Sequence, residues 1–285
     1  MAMITAMSAP EVADLHMHSR HSDGILAPEE LMQLAATRGV TLAALTDHDT
    51  MAGCEAADTA CRALGIGFAP GVEISVAWRG QSLHVIGLAP RPGEPGLATH
   101  LARLRTQRRA RIAAIGERLE KRTRLPGIAL AAAVCAETEV PTRMHLARHM
   151  AARQWTPDVG EAFKEHLGRG KPGHVAAEWP GLEETLAVLG SAGAKIVLAH
   201  PHRYRLSAGA LRQLIEEFRS LGGHGMEVSV AGMAHGDLDR LATLARRSGL
   251  AASTGSDFHD PALRWNTPGR FVKLPQDLDS IVSQL

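Results

Sequence analysis

Apolar residues along this chain fall into two alternating patterns: short continuous runs, and longer stretches in which they recur three or four residues apart. The first predicts buried strands and the second amphipathic helices. Residues 12–18 read as a strand and 28–38 as a helix, with Pro28 near its start and Gly39 beyond its end. A second run, 40–46, precedes helical spacing over 51–64, which Gly65 stops. Strand patterns follow at 66–76 and 82–88. The same alternation returns late in the chain as helix 182–192, strand 194–199, helix 207–221, strand 225–230, helix 235–248 and strand 250–254. A strand at 270–274 and a short helix from residue 276 complete it. Alternating strands and helices predict an α/β fold around a mostly parallel sheet.

Between these two parts the pattern changes. Residues 90–96, Pro-Arg-Pro-Gly-Glu-Pro-Gly, form a punctuated linker, and a long basic helix follows over 97–122. Further helical segments at 142–153 and 157–167 continue without a strand pattern until Gly-Lys-Pro-Gly-His-Val at 170–175. The division this predicts is a barrel-forming unit of residues 1–94 and 176–285, with a helical insertion over 95–175. A chain of 285 residues is long enough for one large α/β barrel or two ordinary domains.

Composition removes several alternatives. Lys and Arg number 31 against 30 Asp and Glu, so no overall field would hold a long polyanion or an acidic membrane. The segment 1–10 has no basic lead and no long apolar run, and no window elsewhere approaches a membrane span. A cytoplasmic location is expected, with no obligate protein partner. Cys54, Cys61 and Cys135 lack a Cys-x-x-Cys pair, which argues against a disulfide framework or a thiolate metal site. The chain carries 15 histidines, and many follow the apolar runs.

His16 and His18 are the first of these. In an extended strand, side chains two residues apart point to the same side, so two imidazoles can face one point. Such a pair reads equally well as two ordinary buried or exposed histidines, and the rest of the chain decides. Groups at or near strand ends are His16, His18, Asp23, His48, Glu73, His84, His200, Asp257 and His259, six imidazoles and three carboxylates. Functional groups at successive strand ends imply a barrel with its site on the carboxyl-end face. One catalytic zinc takes about three protein ligands, so nine candidates suit two or three ions.

These residues stand in Asp-Leu-His-Met-His-Ser (14–19), Ser-Asp-Gly (22–24), Thr-Asp-His-Asp-Thr (46–50), Gly-Val-Glu-Ile-Ser (71–75), Ala-His-Pro (199–201) and Gly-Ser-Asp-Phe-His (255–259). In their order the motifs resemble those of the PHP (polymerase and histidinol phosphatase) phosphoesterases. The resemblance implies a distorted (βα)7 barrel and a trinuclear site of manganese, zinc or iron, with Mn2+ expected. It would place His16, His18, Glu73 and Asp257 on the first ion, Glu73, His84 and His200 on the second, and Asp23, His48 and His259 on the third. Clustered divalent ions lower the pKa of bound water and neutralise phosphoryl oxygens, so no serine or cysteine nucleophile is required and metal hydroxide attacks phosphorus. His202 would protonate the leaving alkoxide or hold the phosphate, or else be a capping or solvent-facing residue.

The insertion resembles that of the subgroup acting on nucleoside 3',5'-bisphosphates, which releases the 3'-phosphate and leaves a 5'-mononucleotide. Thr142 is a plausible N-cap, which would put Arg143 in a first helical turn beside free N–H groups. Lys171 lies in Gly-Arg-Gly-Lys-Pro-Gly, where small residues let an anion approach. Both are expected to bind the uncleaved phosphate, the alternative being ordinary exposed cations. Arg103, Arg105, Arg108, Arg109 and Arg111 read as a solvated helix face. Trp155, Phe163 and Trp179 are expected to pack in the core or lid, the alternative being to stack a nucleobase; His174 and His100 are expected to be structural or surface residues, and Glu227 in the barrel mouth either to orient a ligand or merely to support the fold. Competing activities are 5'-3' hydrolysis of short 5'-phosphorylated RNA and phosphatase action on histidinol phosphate. A metal-keeping RNA-binding module without turnover is opposed by the complete ligand set and the absence of a basic groove.

Overall fold

The computed structural model describes residues 12–285; the segment 1–10, read above for targeting features, lies outside them. Seven strands form one sheet in chain order: β1 (Ala13–Asp14), β2 (Leu42–Leu45), β3 (Gly67–Trp78), β4 (Gln81–Leu88), β5 (Lys195–Leu198), β6 (Gly225–Val230) and β7 (Ala251–Gly255). Pairing is parallel from β1 to β3 and again from β5 to β7, while β4 runs antiparallel to both its neighbours. The last strand returns to the first. Leu15 N donates to Thr254 O at 3.0 Å, Asp257 N to His16 O at 2.7 Å and His18 N to Phe258 O at 2.9 Å, so the sheet closes into a distorted barrel.

The helices cover this barrel as its alternation requires. α1 (Pro28–Thr37) and α2 (Cys54–Leu64) bury Leu31, Met32, Ala35, Ala57 and Cys61 against β2. α7 (Leu182–Ser191), α8 (Ala208–Ser220) and α9 (His235–Ser248) bury Leu186, Leu189, Leu214, Phe218, Leu241 and Ala245 on the far side. Each buried Leu or Phe of this kind stabilises by about 1.5–3 kcal/mol through apolar area removed from water.

Between β4 and α7 lie α3 (Pro95–Arg122), α4 (Gly127–Glu137), α5 (Arg143–Ala152) and α6 (Val159–Ala162), the last running into a π turn over Phe163–Leu167. α3 belongs to two cores. Leu97, Leu101 and Leu104 pack with the β3–β4 side of the barrel, while Ile112, Ile115 and Leu119 join Leu130, Val134, Leu146 and Met150 in a separate cluster. The sequence pattern did not single out α4, whose apolar residues surround it rather than forming a stripe.

Three expectations are corrected. Only Ala13–Asp14 of the run 12–18 forms a strand with β2; beyond it Leu15, His16 and His18 bond to the end of β7, while Met17 O still accepts from Thr46 N at 2.9 Å. The run 270–274 is not a strand: β1 already closes the barrel beside β7, and the segment is held by Ser229 Oγ donating to Val272 O at 2.6 Å. The chain end forms a 3-10 turn over Ile281–Gln284 rather than a helix from 276. Among the described residues no helix is long and apolar enough to cross a membrane.

Candidate metal centre

The carboxyl ends of the strands converge on a buried cluster. At the exit of β1, His16 and His18 face the same way, with their Nε2 atoms 3.0 Å apart. Asp14, one turn of the pleat below, accepts from Ser256 N and Gly269 N at 2.8 Å each and so ties β1 to the end of β7. Burial pushes the Asp14 carboxyl up to about 6, although those N–H donors oppose the rise. The loop carrying Asp23 is fixed by Asp47: Ser19 N donates to it at 2.8 Å, and the Ser19 and Ser22 hydroxyls at 2.6 Å each.

Glu73, in β3, is the hub. Its fully buried carboxylate lies 2.8 Å from His48 Nδ1, 2.9 Å from His84 Nδ1, 2.9 Å from His200 Nε2, and 3.3 Å from each of His16 Nε2 and His18 Nε2. Asp257 Oδ1 stands 3.4 Å from His16 Nε2 and 3.2 Å from His18 Nε2, while its other oxygen is paired with Arg203. His259 Nε2 approaches Asp23 Oδ1 at 3.3 Å. All nine residues picked out at strand ends are therefore brought together. They form overlapping groups: His18, Asp23, His48 and His259; His16, Glu73 and His200; His16, His18 and Asp257; His48, Glu73 and His84. Glu227, in β6, lies beneath: His16 Nδ1 is 3.0 Å from its Oε1, and His200 N donates to its Oε2 at 2.6 Å. The backbone must come very close here, since a Cβ on Gly255 would stand 2.3 Å from His16 Cβ.

The electrostatics are those of a site built for cations. Burial drives the Glu73 carboxyl up, but His84, His16 and His48 outweigh it and hold it well below the ordinary range. Burial likewise drives His259 down, yet Asp257 and Asp23 lift it to about 9. His18 has no such margin: burial and the neighbouring His259 push it down to about 3. Several buried atoms in the cluster, Asp23 Oδ1, His48 Nδ1, Glu73 Oε2 and His200 Nδ1, have no hydrogen-bond partner. Buried polar atoms are ordinarily satisfied, so unmatched oxygens and imidazole nitrogens converging at one place fit divalent cations with imidazole and carboxylate ligands. No cysteine belongs to these groups, and burial pushes the Cys54 and Cys61 thiols up to about 12. A divalent ion at about a thousand times its Kd stabilises by about 4 kcal/mol. For a chain of this size that should raise Tm by roughly 10 °C. Thermal melts with and without chelator check it, and an unchanged Tm would remove the ions from this centre.

A cavity of about 440 Å³ opens directly on the cluster, with Asp23, His48 and His84 on its floor and Arg108, Arg111, Arg143 and Arg169 among its walls. α3 supplies the first two arginines and the first turn of α5 the third. Thr142 is the N-cap of α5, accepting from Met144 N at 3.1 Å. Lys171 is not among the lining residues; Arg169, two positions earlier in the same loop, is. The solvated-face reading of α3 is corrected for Arg108 and Arg111. Arg108 is buried, donating to Asp49 Oδ2 at 2.5 Å and to Ser75 Oγ at 2.8 Å, and Arg111 is held half-buried by the Val175 carbonyl. Their spacing carried the signal: Arg108 stands four residues after Leu104 and four before Ile112, on the apolar face. His174 lines the cavity rather than the outer surface, as do Phe163 and Trp179, the latter packed on the barrel core with its ring under Arg108 and Arg111. His202 is half-buried, its Nδ1 unpartnered, and burial with the adjacent Arg203 pushes it down to about 4.

A barrel presenting such a cluster beneath an arginine-walled cavity defines a metal-dependent phosphoesterase. The chain belongs to the PHP family: the PHP domain model matches residues 14–139, and relatives 38% identical to it cover more than nine-tenths of its length. One relative, the 3',5'-nucleoside bisphosphate phosphatase of Chromobacterium violaceum, is 38% identical over 92% of this chain and 92% of its own. A 5'-3' exoribonuclease of Haemophilus influenzae is also 38% identical, over 94% of this chain and 96% of its own. Among solved structures, an amidohydrolase from Chromobacterium violaceum with bound sulfate and no metal superposes with a TM-score of 0.89 at 37% identity, covering 95% of each chain.

Proposed function

We propose that this chain hydrolyses the 3'-phosphate of nucleoside 3',5'-bisphosphates, such as adenosine 3',5'-bisphosphate, giving phosphate and a 5'-mononucleotide. The observation that carries this reading is the arginine-walled cavity opening on the ligand cluster, which offers a place for a second phosphate beside the one being cleaved. Divalent ions held by His16, His18, Asp23, His48, Glu73, His84, His200, Asp257 and His259 would supply an activated water and neutralise the phosphoryl and leaving oxygens. The protein's own groups do the rest. Arg143, at the first turn of α5, and Arg111 grip the 5'-phosphate with charge-assisted hydrogen bonds, with Arg169 in the adjoining loop and Lys171, outside the lining, adding only its charge. His202 is an uncharged N–H donor at neutral pH and holds a phosphoryl oxygen. Histidinol phosphate has one phosphate and would leave the arginines unmatched.

The reading is tested by steady-state phosphate release from adenosine 3',5'-bisphosphate, histidinol phosphate and a 5'-phosphorylated short RNA, with products identified. A higher kcat/KM on histidinol phosphate than on the bisphosphate would sink it. Arg143→Ala should lower kcat/KM for the bisphosphate about 10- to 100-fold, the worth of a hydrogen bond to a charged group, with little change for a simple phosphate monoester. Lys171→Ala should show the same selectivity more weakly. Equal losses on both substrates would remove the second phosphate from this cavity. A second reading, removal of 5'-mononucleotides from short RNA, is favoured by the equal identity to the Haemophilus influenzae exoribonuclease.

A further inference from the structure

The two readings share one reaction. In both, a water oxygen bonds to phosphorus and the P–O3' bond breaks. Its electron pair goes to O3', which takes a proton and leaves as the 3'-hydroxyl of a 5'-mononucleotide. Only one substituent on phosphorus differs: a free oxygen in the bisphosphate, the O5' of the next nucleoside in RNA. RNA therefore needs a binding surface on the far side of the phosphoryl group, away from the arginine-walled cavity, and the bisphosphate does not.

None of the residues lining that cavity comes from the carboxyl ends of β5, β6 or β7. Those ends carry Arg203, Gly232, Asp257 and the loop 260–269. Three of the five large hydrophobic residues that the described residues expose, Ile25, Leu263 and Trp265, stand shortly after the ligands Asp23 and His259. Their segments are joined, Ile25 N donating to His259 O at 2.8 Å. Trp265 is 52% exposed yet held in place. The Cε3–Cζ3 edge of its indole abuts Gly232, where φ is +74° and a Cβ would stand 2.8 Å from Cε3 and 3.1 Å from Cζ3. Next to it the buried Asn266 donates from Nδ2 to Asp257 O at 2.7 Å, and Arg270 Nη1 donates to Arg264 O at 3.0 Å. An aromatic ring braced along one edge, half exposed and fixed through its neighbour Asn266 to the backbone of a ligand residue matches a base-stacking platform, with Arg264 beside it in sequence and Arg203 paired to the same Asp257.

We infer that Trp265 is the stacking platform for the second nucleobase of a short single-stranded RNA, whose first nucleotide occupies the arginine-walled cavity. This rests on the reading that the centre cleaves the P–O3' bond with the 5'-phosphate on the arginines. The platform serves RNA and leaves the bisphosphate untouched, so a single side chain separates the two activities.

The test compares kcat/KM of the metal-loaded full chain and its Trp265→Ala, Trp265→Phe and Gly232→Ala variants on adenosine 3',5'-bisphosphate, 5'-phosphorylated triadenylate, and the triadenylate lacking its second base. Trp265→Ala should lose about 5- to 150-fold on triadenylate, the range of one base–aromatic stack, and stay within about twofold on the bisphosphate. Trp265→Phe should keep most of the activity, and Gly232→Ala, which displaces the ring without removing it, should also slow RNA alone. The substrate lacking its second base should be equally slow with wild type and Trp265→Ala. Wild-type rates on triadenylate in Trp265→Ala overturn the inference and leave the bisphosphate reading standing. So does wild-type protein that cleaves the bisphosphate but not RNA. A change of solution mass in Trp265→Ala with unchanged RNA cleavage would also overturn it, assigning the ring to a contact between copies. Wild-type protein that cleaves neither substrate removes the reading and the inference together.

Discussion

Replacing Glu73 with glutamine is expected to lower phosphate release by at least about 10³-fold, since clustered ions contribute several kcal/mol to the transition state and each 1.36 kcal/mol is tenfold. Five imidazoles lie within 3.3 Å of this one carboxylate. It is the one carboxylate that two of the overlapping ligand sets share. Glutamine keeps the shape but replaces one oxygen by an N–H donor, which cannot bind a cation and would face imidazole nitrogens. Bound metal per chain, measured by elemental analysis of the purified variant, should fall together with activity. Full metal content with a 10³-fold loss would mean that Glu73 acts in the reaction rather than in holding ions, and full activity would sink the centre altogether.

Asp49→Ala is expected to cost about 3–5 kcal/mol, the range for breaking a buried ion pair from one side. Asp49 joins three elements: its Oδ1 accepts from Ser75 N at 3.0 Å, its Oδ2 from Arg108 Nε at 2.5 Å, and its carbonyl from Arg105 Nη1 at 3.3 Å. It also sits at φ +49°, a left-handed conformation that Asp and Asn tolerate better than Ala. Asp49→Asn should therefore lose less than Asp49→Ala, the difference reporting the backbone conformation and the remainder the buried Arg108. Denaturant melts of both variants measure this, and a loss in Asp49→Ala below about 1 kcal/mol would show that Arg108 finds water or another partner. The same pair anchors α3 to β3, so Asp49→Asn should also weaken bisphosphate turnover by loosening Arg111, one turn further along.

Most of the ligand cluster was legible because its members stand at or near the end of a run whose strand character is visible on its own, although Glu73 and His84 lie inside β3 and β4. His16, His48, His200 and Asp257 are placed by local pattern, and the barrel does the rest. The antiparallel β4 was less visible. Two apolar runs at 66–76 and 82–88 with Arg79-Gly80 between them are a hairpin, since Gly80 supplies φ +75° and no helix intervenes. The arginine wall was illegible for a different reason. Arg108 and Arg111 look like part of a charged surface until α4, α5 and the barrel are both known to cover α3, and burial on two sides is a tertiary fact. Trp265 was hidden likewise, because nothing local says that Gly232, 33 residues earlier, lies against the edge of its ring.

The seam where β7 meets β1 has a consequence in time. His16 and Asp257 lie 241 positions apart, yet they are hydrogen-bonded through Asp257 N and share the same cluster. During synthesis at about 5–20 residues per second, His16 and His18 wait roughly ten to fifty seconds for the strand that completes them. Throughout that interval the nascent barrel carries an unfinished edge and a ligand set that lacks Asp257 and His259. Full occupation by metal thus reports that the last strand has arrived, and a chain stalled before residue 259 would carry a centre that cannot be completed.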